Sequence, residues 1–112
     1  DKSAWDDAIE SYKSCLKIKP GYAEAYCNMG LALKGKGDLD AAIQSYCNAL
    51  EIKPDYAEAH RNLSLAKTYT PKDTQIAEMD TLYESEFTSD EQRCHVCFAL
   101  AKAHRDLENL KM

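Results

Sequence analysis

Cys94 and Cys97 flank His95-Val96, and two cysteines at this spacing can bind a metal ion or exchange disulfides. A zinc site needs a second pair of Cys or His residues at comparable spacing, and the sequence contains none. Cys97 also falls on the apolar stripe of a predicted helix. The pattern therefore predicts a reduced thiol in a helical core, with no metal site and no cofactor.

The three histidines do not make a catalytic set. No Ser or Cys nucleophile with an acidic partner can be placed beside His60, His95 or His104. The acidic residues lie near predicted helix starts or on predicted solvent faces, where solvation and the helix dipole account for them. We therefore predict no catalytic residues, and no enzyme activity for this chain by itself.

The elements that carry these residues follow from an internal repeat of 34 residues. Residues 11–34 align with residues 45–68, and the alignment superimposes two Ile-Lys-Pro triplets and two Tyr-Ala-Glu-Ala runs. A period of this length is typical of helical repeats, whose units bury their apolar faces against one another. The sequence thus predicts stacked helix pairs.

The complete copy of the repeat occupies residues 23–56. Apolar residues at helical spacing predict a first helix over 23–34, which the glycines of Gly35–Asp38 end. Asp38 can cap a second helix over 39–52. The copy is similar to the tetratricopeptide repeat (TPR) signature at Tyr26, Met29, Gly30, Leu33, Ala42, Tyr46 and Pro54. The resemblance implies an all-α, right-handed superhelical stack of antiparallel helix hairpins, in which Gly30 lets two helices approach closely.

The remaining segments are assigned to partial copies within one domain, residues 1–112. Residues 4–20 supply the second helix of an incomplete repeat, 57–86 a degenerate repeat whose first helix covers 57–69, and 89–112 the start of a further repeat. Ser89 and Gln92 predict a capping box at that start. The stripe predicted to be buried in the last helix consists of Cys97, Leu100, Ala101 and His104. Because the chain begins and stops within repeats, we expect a fragment of a longer protein.

In a TPR stack the first helices line the concave face, so residues 34 apart on them form a ladder. Asn28 and Asn62 are such a pair, and their amides can donate to and accept from a peptide main chain. This resembles the asparagine ladder of O-linked N-acetylglucosamine transferases. The alternative is that both amides bond only neighbouring helix backbone or water. The predicted peptide-binding residues are Asn28, Leu31, Lys34, Arg61, Asn62 and Leu65.

Residues 57–107 resemble the region that precedes the sulfotransferase domain in bacterial TPR-containing sulfotransferases. The resemblance lies in Tyr69–Met79, Leu82, Thr88–Glu91 and Phe98–Ala103. It implies context only, because sulfuryl transfer needs a phosphate-binding loop between a strand and a helix, and the sequence has no such segment.

The amino-acid composition limits which binding partners and which cellular compartment are expected. A net charge of −5, with no run of Lys and Arg on one face, disfavours nucleic acid as a partner. No apolar run approaches the roughly 20 residues of a membrane span. Five cysteines, an odd number scattered through helical patterns, favour a reducing cytoplasm over a secreted disulfide scaffold.

The sequence therefore favours an interaction scaffold for a protein or an extended peptide. One alternative is a non-catalytic region that positions the substrate of a sulfotransferase. A second is a homodimerisation element, because the first helix lacks a preceding partner. In that case Trp5, Ile9 and Tyr12 would form an open apolar face for self-association.

Overall fold

Six α-helices make up most of the computed structural model, which describes the backbone of residues 2–111 and the side chains of residues 4–111. They are α1 (Lys2–Ile18), α2 (Ala23–Lys36), α3 (Leu39–Ile52), α4 (Ala57–Ala66), α5 (Gln75–Glu84) and α6 (Asp90–Asn109). No strand occurs in that part of the chain, so the predicted all-α class is confirmed. The helices form two compact units, with α1–α3 in unit 1, up to Pro54, and α4–α6 in unit 2, from Asp55.

The turn between α2 and α3 follows from local residue chemistry. Gly37 has a φ of 99°, a left-handed conformation that side chains disfavour, and its N–H donates to the carbonyl of Lys34. Asp38 then caps α3, because its Oδ1 accepts from the N–H of Ala41 at 3.4 Å. The predicted cap at Asp38 is confirmed, and the break occurs at Gly37–Asp38, two residues later than predicted, because α2 continues to Lys36.

The core of unit 1 depends on a close approach between α2 and α3. Tyr46 is fully buried, and its ring lies so near Gly30 that a Cβ there would be 2.5 Å from the ring carbon Cε1. Ala42 and Ala49, both with no exposed surface, flank Tyr46 on α3. Small residues on both helices therefore leave room for one aromatic ring, as predicted for Gly30.

Helix α1 packs against α2 through its apolar side. Ile9 is only 5% exposed, so it does not belong to the open face that was predicted to join Trp5, Ile9 and Tyr12. Trp5 lies over Gly35, where an added Cβ would be 2.6 Å from the indole carbon Cζ2, and 40% of its surface remains exposed. An ion pair of 2.6 Å between Asp6 and Lys36 also joins the two helices. The contact with α2 buries Ile9 and leaves Trp5 partly open.

In unit 2, α4 ends earlier than predicted. The helix stops at Ala66, whereas the sequence pattern extended it to Tyr69. Lys67 already has an extended backbone, with a ψ of 166°, so the chain leaves the helix there. Leaving the helix lets Tyr69 enter the core from the loop, where it has no exposed surface.

Tyr69 is the centre of a polar network that fastens this loop. Its hydroxyl donates to Gln75 Oε1 at 2.9 Å, and Gln75 Nε2 lies 2.9 Å from Nδ1 of the buried His60. The N–H of Tyr69 donates to Asp106 Oδ2 at 3.0 Å, which ties the loop to α6. Lys102 Nζ bonds both Asp106 Oδ2, at 2.5 Å, and the carbonyl of Lys67, at 2.8 Å. These bonds connect α4, the loop and α5 to α6.

Helix α6 starts as predicted but buries a different face. Ser89 and Gln92 form the capping box, with reciprocal bonds of 3.1 and 3.0 Å. The prediction of a buried stripe at Cys97, Ala101 and His104 is wrong, because all three are exposed. The buried residues of α6 are Val96, Ala99, Ala103 and Asp106. This face is selected by the core around Tyr69 and Met79, against which Val96, Ala99 and Ala103 pack.

Candidate functional site

Helix α2 presents a polar and apolar face to solvent. Asn28, Leu31 and Lys34 are all exposed, and Leu31 keeps 44% of its surface. Their spacing of three residues places them on neighbouring turns of one side of the helix. An amide, an aliphatic side chain and an ammonium group are therefore available together to a ligand of unit 1.

Helix α4 presents the equivalent positions in unit 2. Leu65, one period after Leu31, is 46% exposed, so the two leucines occupy closely similar environments. Asn62, one period after Asn28, is half-buried, whereas Asn28 is exposed. The repeat thus reproduces the environment of the leucine more closely than that of the asparagine.

Arg61 is held in place by α6. Its Nη1 lies 3.3 Å from His95 Nδ1, and its guanidinium carbon lies 4.3 Å from the centre of the Phe98 ring. Because an arginine donates and never accepts, His95 accepts through Nδ1 and carries its proton on Nε2. The guanidinium is therefore oriented before any ligand arrives, and it retains N–H groups that the bond to His95 does not use.

Sequence reasoning missed His95 and Phe98 as partners of Arg61. The available signal was the period itself, since His95 stands 34 residues after Arg61. Packing of α4 on α6 brings the two side chains together.

The other chemically interesting side chains are dispersed. His60 is buried beside Gln75, His95 lies against Arg61, and His104 is exposed. The three histidines therefore have different surroundings. Across residues 2–111, no group of three or more His, Cys, Asp or Glu side chains could hold a metal ion.

Each unit contains a groove. The groove of unit 1, about 520 Å³, is lined by side chains from α1, α2 and α3, including Glu10, Met29 and Gln44. The groove of unit 2, about 540 Å³, lies between α5 and α6. Its lining consists of Tyr83, Asp90, Arg93, Cys94, Cys97, Phe98 and Ala101. The first is rich in charged groups, while the second combines aromatic rings with two thiols.

A model of the TPR repeat family matches residues 1–37 and 35–67. The chain belongs to the TPR repeat family. The two matches cover the complete repeat and its neighbours, where Gly30, Ala42 and Tyr46 make the close helix packing described above. Family membership supports a general role as a protein-interaction scaffold.

The crystal structure of MamA is similar in fold to this TPR chain. The TM-score is 0.56 at 24% sequence identity, over 96% of this chain and 51% of MamA. This chain therefore spans about half the length of MamA, and the likeness concerns the fold alone. No curated protein matched this chain.

Proposed function

We propose that this TPR protein binds an extended peptide segment of a partner protein through the exposed side chains of α2 and α4. The observation that carries the proposal is the pair Leu31 and Leu65, one repeat apart and exposed to 44% and 46%. Apolar side chains held open at equivalent positions of two repeats suit a ligand with apolar groups at intervals.

Polar groups beside these leucines supply the rest of the recognition. Asn28 on α2 and Asn62 on α4 carry amides that can donate to and accept from a peptide main chain. Lys34 and the oriented guanidinium of Arg61 add positive charge beside the leucines. The expected ligand is therefore an extended segment that combines apolar and acidic side chains.

The test starts from a phage-displayed library of linear peptides selected against the whole chain. The selected peptide is then titrated against the wild type and the variants N28A, L31A, N62A and L65A by isothermal calorimetry. We expect each leucine variant to weaken binding about 5-fold or more, which corresponds to at least about 1 kcal/mol.

Matched controls lie on α3, outside the proposed faces. Leu39 is 47% exposed, like Leu31, and Asn48 bonds Gln44 at 3.1 Å on α3. L39A and N48A should bind the selected peptide with wild-type affinity. Equal losses of affinity in the controls, or unchanged affinity in both leucine variants, would contradict peptide binding through these faces of α2 and α4.

We also propose that α6 is the first helix of a further repeat, after the degenerate repeat at 57–86. Packing of α4 on α6 and the 34-residue interval between Arg61 and His95 support this assignment. A fresh repeat at 89–112 would continue the series of helix pairs beyond the segment matched by the family model. Sequence of the parent protein after Met112 tests it, because a second helix of TPR pattern should come next.

A rival proposal concerns a larger enzyme. The TPR family matches end at residue 67, and residues 57–107 resemble the region before a sulfotransferase domain. In that protein the repeats would position the acceptor substrate for a catalytic domain in the same chain. A strand followed by a phosphate-binding loop, encoded downstream, supports this rival, while continued repeats exclude it.

Homodimerisation is a third proposal, now limited to Trp5 and Tyr12 because Ile9 is buried. Trp5 is 40% exposed and Tyr12 is half-buried on the same helix. Sedimentation velocity over a concentration series, with W5A beside the wild type, tests it. A concentration-independent monomer in both proteins ends the proposal.

We place the protein in the cytoplasm. All five cysteines carry free thiols, and three of them, Cys47, Cys94 and Cys97, are exposed. Exposed thiols persist in a reducing compartment. Fractionation of cells that express the tagged full-length protein tests this location.

A further inference from the structure

The two cysteines of Cys94-His95-Val96-Cys97 are both exposed, whereas the sequence pattern predicted a core thiol at Cys97. Burial of Cys97 was one of the two reasons against metal binding, and the structure removes it. Both side chains also line the same groove of unit 2. The pair is therefore accessible from one side.

Helix geometry brings the two thiols together. Residues three apart on an α-helix are neighbours on its surface, with Cβ atoms about 5–6 Å apart. Cys94 and Cys97 both lie within α6, between Asp90 and Asn109, so the helix fixes their spacing before any ion arrives. Two thiolates on one rigid element can therefore reach a single ion without rearrangement of the backbone.

The number of ligands selects the kind of metal. Structural zinc and iron–sulfur clusters take four ligands, and residues 2–111 hold no group of even three His, Cys, Asp or Glu side chains at one place. Thiolates are soft ligands, and among the soft ions Cu(I) accepts low coordination numbers. We propose that Cys94 and Cys97 chelate one Cu(I) ion on the surface of α6.

The surroundings of the thiols suit such a complex. Binding releases one proton from each thiol, so one Cu(I) and two thiolates carry a net charge of −1. Arg93 lines the same groove, and its guanidinium is fixed by bonds to the carbonyls of Tyr83, at 3.1 Å, and Ser85, at 2.7 Å. Its Nη1 also lies 3.6 Å from Oδ1 of Asp90, an exposed carboxylate that lines the groove too and offsets part of its charge. Arg93 therefore stabilises the anionic complex in part.

The test uses the whole chain, fully reduced, under argon. Cu(I) is supplied as its coloured complex with bicinchoninate, and loss of colour measures the transfer of copper to the protein. The wild type should take one Cu(I) per chain. C94S and C97S should each lower the affinity about 100-fold or more, because the loss of one thiolate abolishes chelation.

C47S is the matched control, since Cys47 is another exposed cysteine, on α3, and has no cysteine neighbour at chelating spacing. It should bind Cu(I) like the wild type. In a second measurement, Cu(I) should protect Cys94 and Cys97 from alkylation by N-ethylmaleimide while Cys47 still reacts, as read by mass spectrometry. Circular dichroism verifies that each variant is folded.

Three results would overturn the proposal: equal loss of affinity in C47S, a stoichiometry of one Cu(I) shared between chains, or alkylation of Cys94 and Cys97 at the wild-type rate in the presence of Cu(I). The peptide-binding proposal does not depend on the outcome, because it concerns different side chains.

Discussion

At the scale of single residues, Gly30 and Tyr46 determine how α2 meets α3. Tyr46 is fully buried, and among the described side chains its hydroxyl is the one buried polar group without a hydrogen-bond partner. An unpaired buried hydroxyl costs free energy, since its bonds to water are lost on folding. Unit 1 therefore contains an aromatic ring that packs well and an oxygen that destabilises it.

Tyr46→Phe should raise the free energy of unfolding by about 1 kcal/mol at neutral pH, because it removes the unpaired oxygen and keeps the ring. Burial raises the pKa of Tyr46 to about 12, with a smaller contribution from Cys27. The unfolded chain releases this proton near pH 10, so wild-type stability is complete below that pH and declines between about pH 10 and 12. The variant should lose less over this window, as measured by urea unfolding. Tyr83→Phe, at a residue 42% exposed, is the control and should change neither quantity.

Gly30→Ala should destabilise unit 1 by about 1–3 kcal/mol. The added Cβ would lie 2.5 Å from Cε1 and 2.8 Å from Cδ1 of Tyr46, a ring with no exposed surface that cannot move away. Alanine favours a helix over glycine by about 0.5–1 kcal/mol, which is too little to offset the overlap. Gly21→Ala, where nothing lies within 4 Å of the new Cβ, is the matched control. A stability of G30A equal to that of G21A would contradict the close approach.

At the scale of the elements, hydrogen bonds from polar side chains hold the loop after α4 in unit 2, whereas unit 1 has a glycine turn after α2. Thr70–Asp73 follows the first helix of its repeat, as Gly35–Asp38 does in the complete repeat. Asp73 accepts hydrogen bonds from the N–H of Thr70 and from Lys67. Burial favours the protonated form of Asp106, but hydrogen bonds from Lys102 and from the N–H of Tyr69 outweigh it and lower the pKa of Asp106 below 3.8. The loop after α4 therefore depends on ionised carboxylates.

Asp106→Asn should lower the stability of unit 2 by about 3 kcal/mol at pH 7, because Lys102 loses a charged partner in a mostly buried position. The unfolded chain protonates Asp106 near pH 4 and the folded chain only at lower pH. The contribution is thus complete above about pH 4 and is lost as the pH falls through the folded pKa. Unfolding by urea between pH 7 and pH 3 should show a shallower acid loss in D106N than in the wild type. Asp80→Asn, at an exposed position of α5, should follow the wild type.

At the scale of the whole molecule, the chain carries a net charge of −5 at pH 7. Two of the described ion pairs are local and well exposed, Lys13–Glu10 at 3.5 Å and Lys111–Glu108 at 3.3 Å. Such pairs add little stability each. No helix among residues 2–111 combines the length and the hydropathy that crossing a bilayer requires. Charge at such exposed positions therefore acts on the choice of partners more than on the fold.

The excess of acidic groups leads us to expect no measurable binding of duplex DNA at about 0.15 M salt, because phosphates repel a negatively charged surface. Anisotropy of a fluorescent duplex, titrated with the full chain, checks this. A salt-sensitive rise in anisotropy at micromolar protein would contradict it.

Much of unit 1 was predictable because every boundary has a local signal. Gly37 and Asp38 define the turn, Pro54 follows α3, and the period of 34 places Leu31 and Leu65 in equivalent environments. The buried face of α6 was not predictable from spacing, since Cys97, Ala101 and His104 follow the helical period as well as Val96, Ala99 and Ala103 do. Which of the two faces is buried depends on Tyr69. This residue enters the core from the loop after α4, and its N–H donates to Asp106, 37 residues later.

The partners of Arg61 were missed for the same reason. Arg61 reads as an exposed cation on α4, and only the packing of α4 on α6 places His95 and Phe98 against it. Residues that depend on a contact distant in sequence were therefore the ones that local patterns could not assign.

Trp5 provides an intrinsic fluorescent probe of unit 1. It is the chain's sole tryptophan, and its indole rests on Gly35, at the seam where α1 meets α2. Emission excited at the red edge of protein absorbance therefore comes from this seam alone. Detachment of α1 from α2 would move the indole into water and shift its emission to longer wavelength. Tryptophan fluorescence can therefore follow this detachment without an added dye.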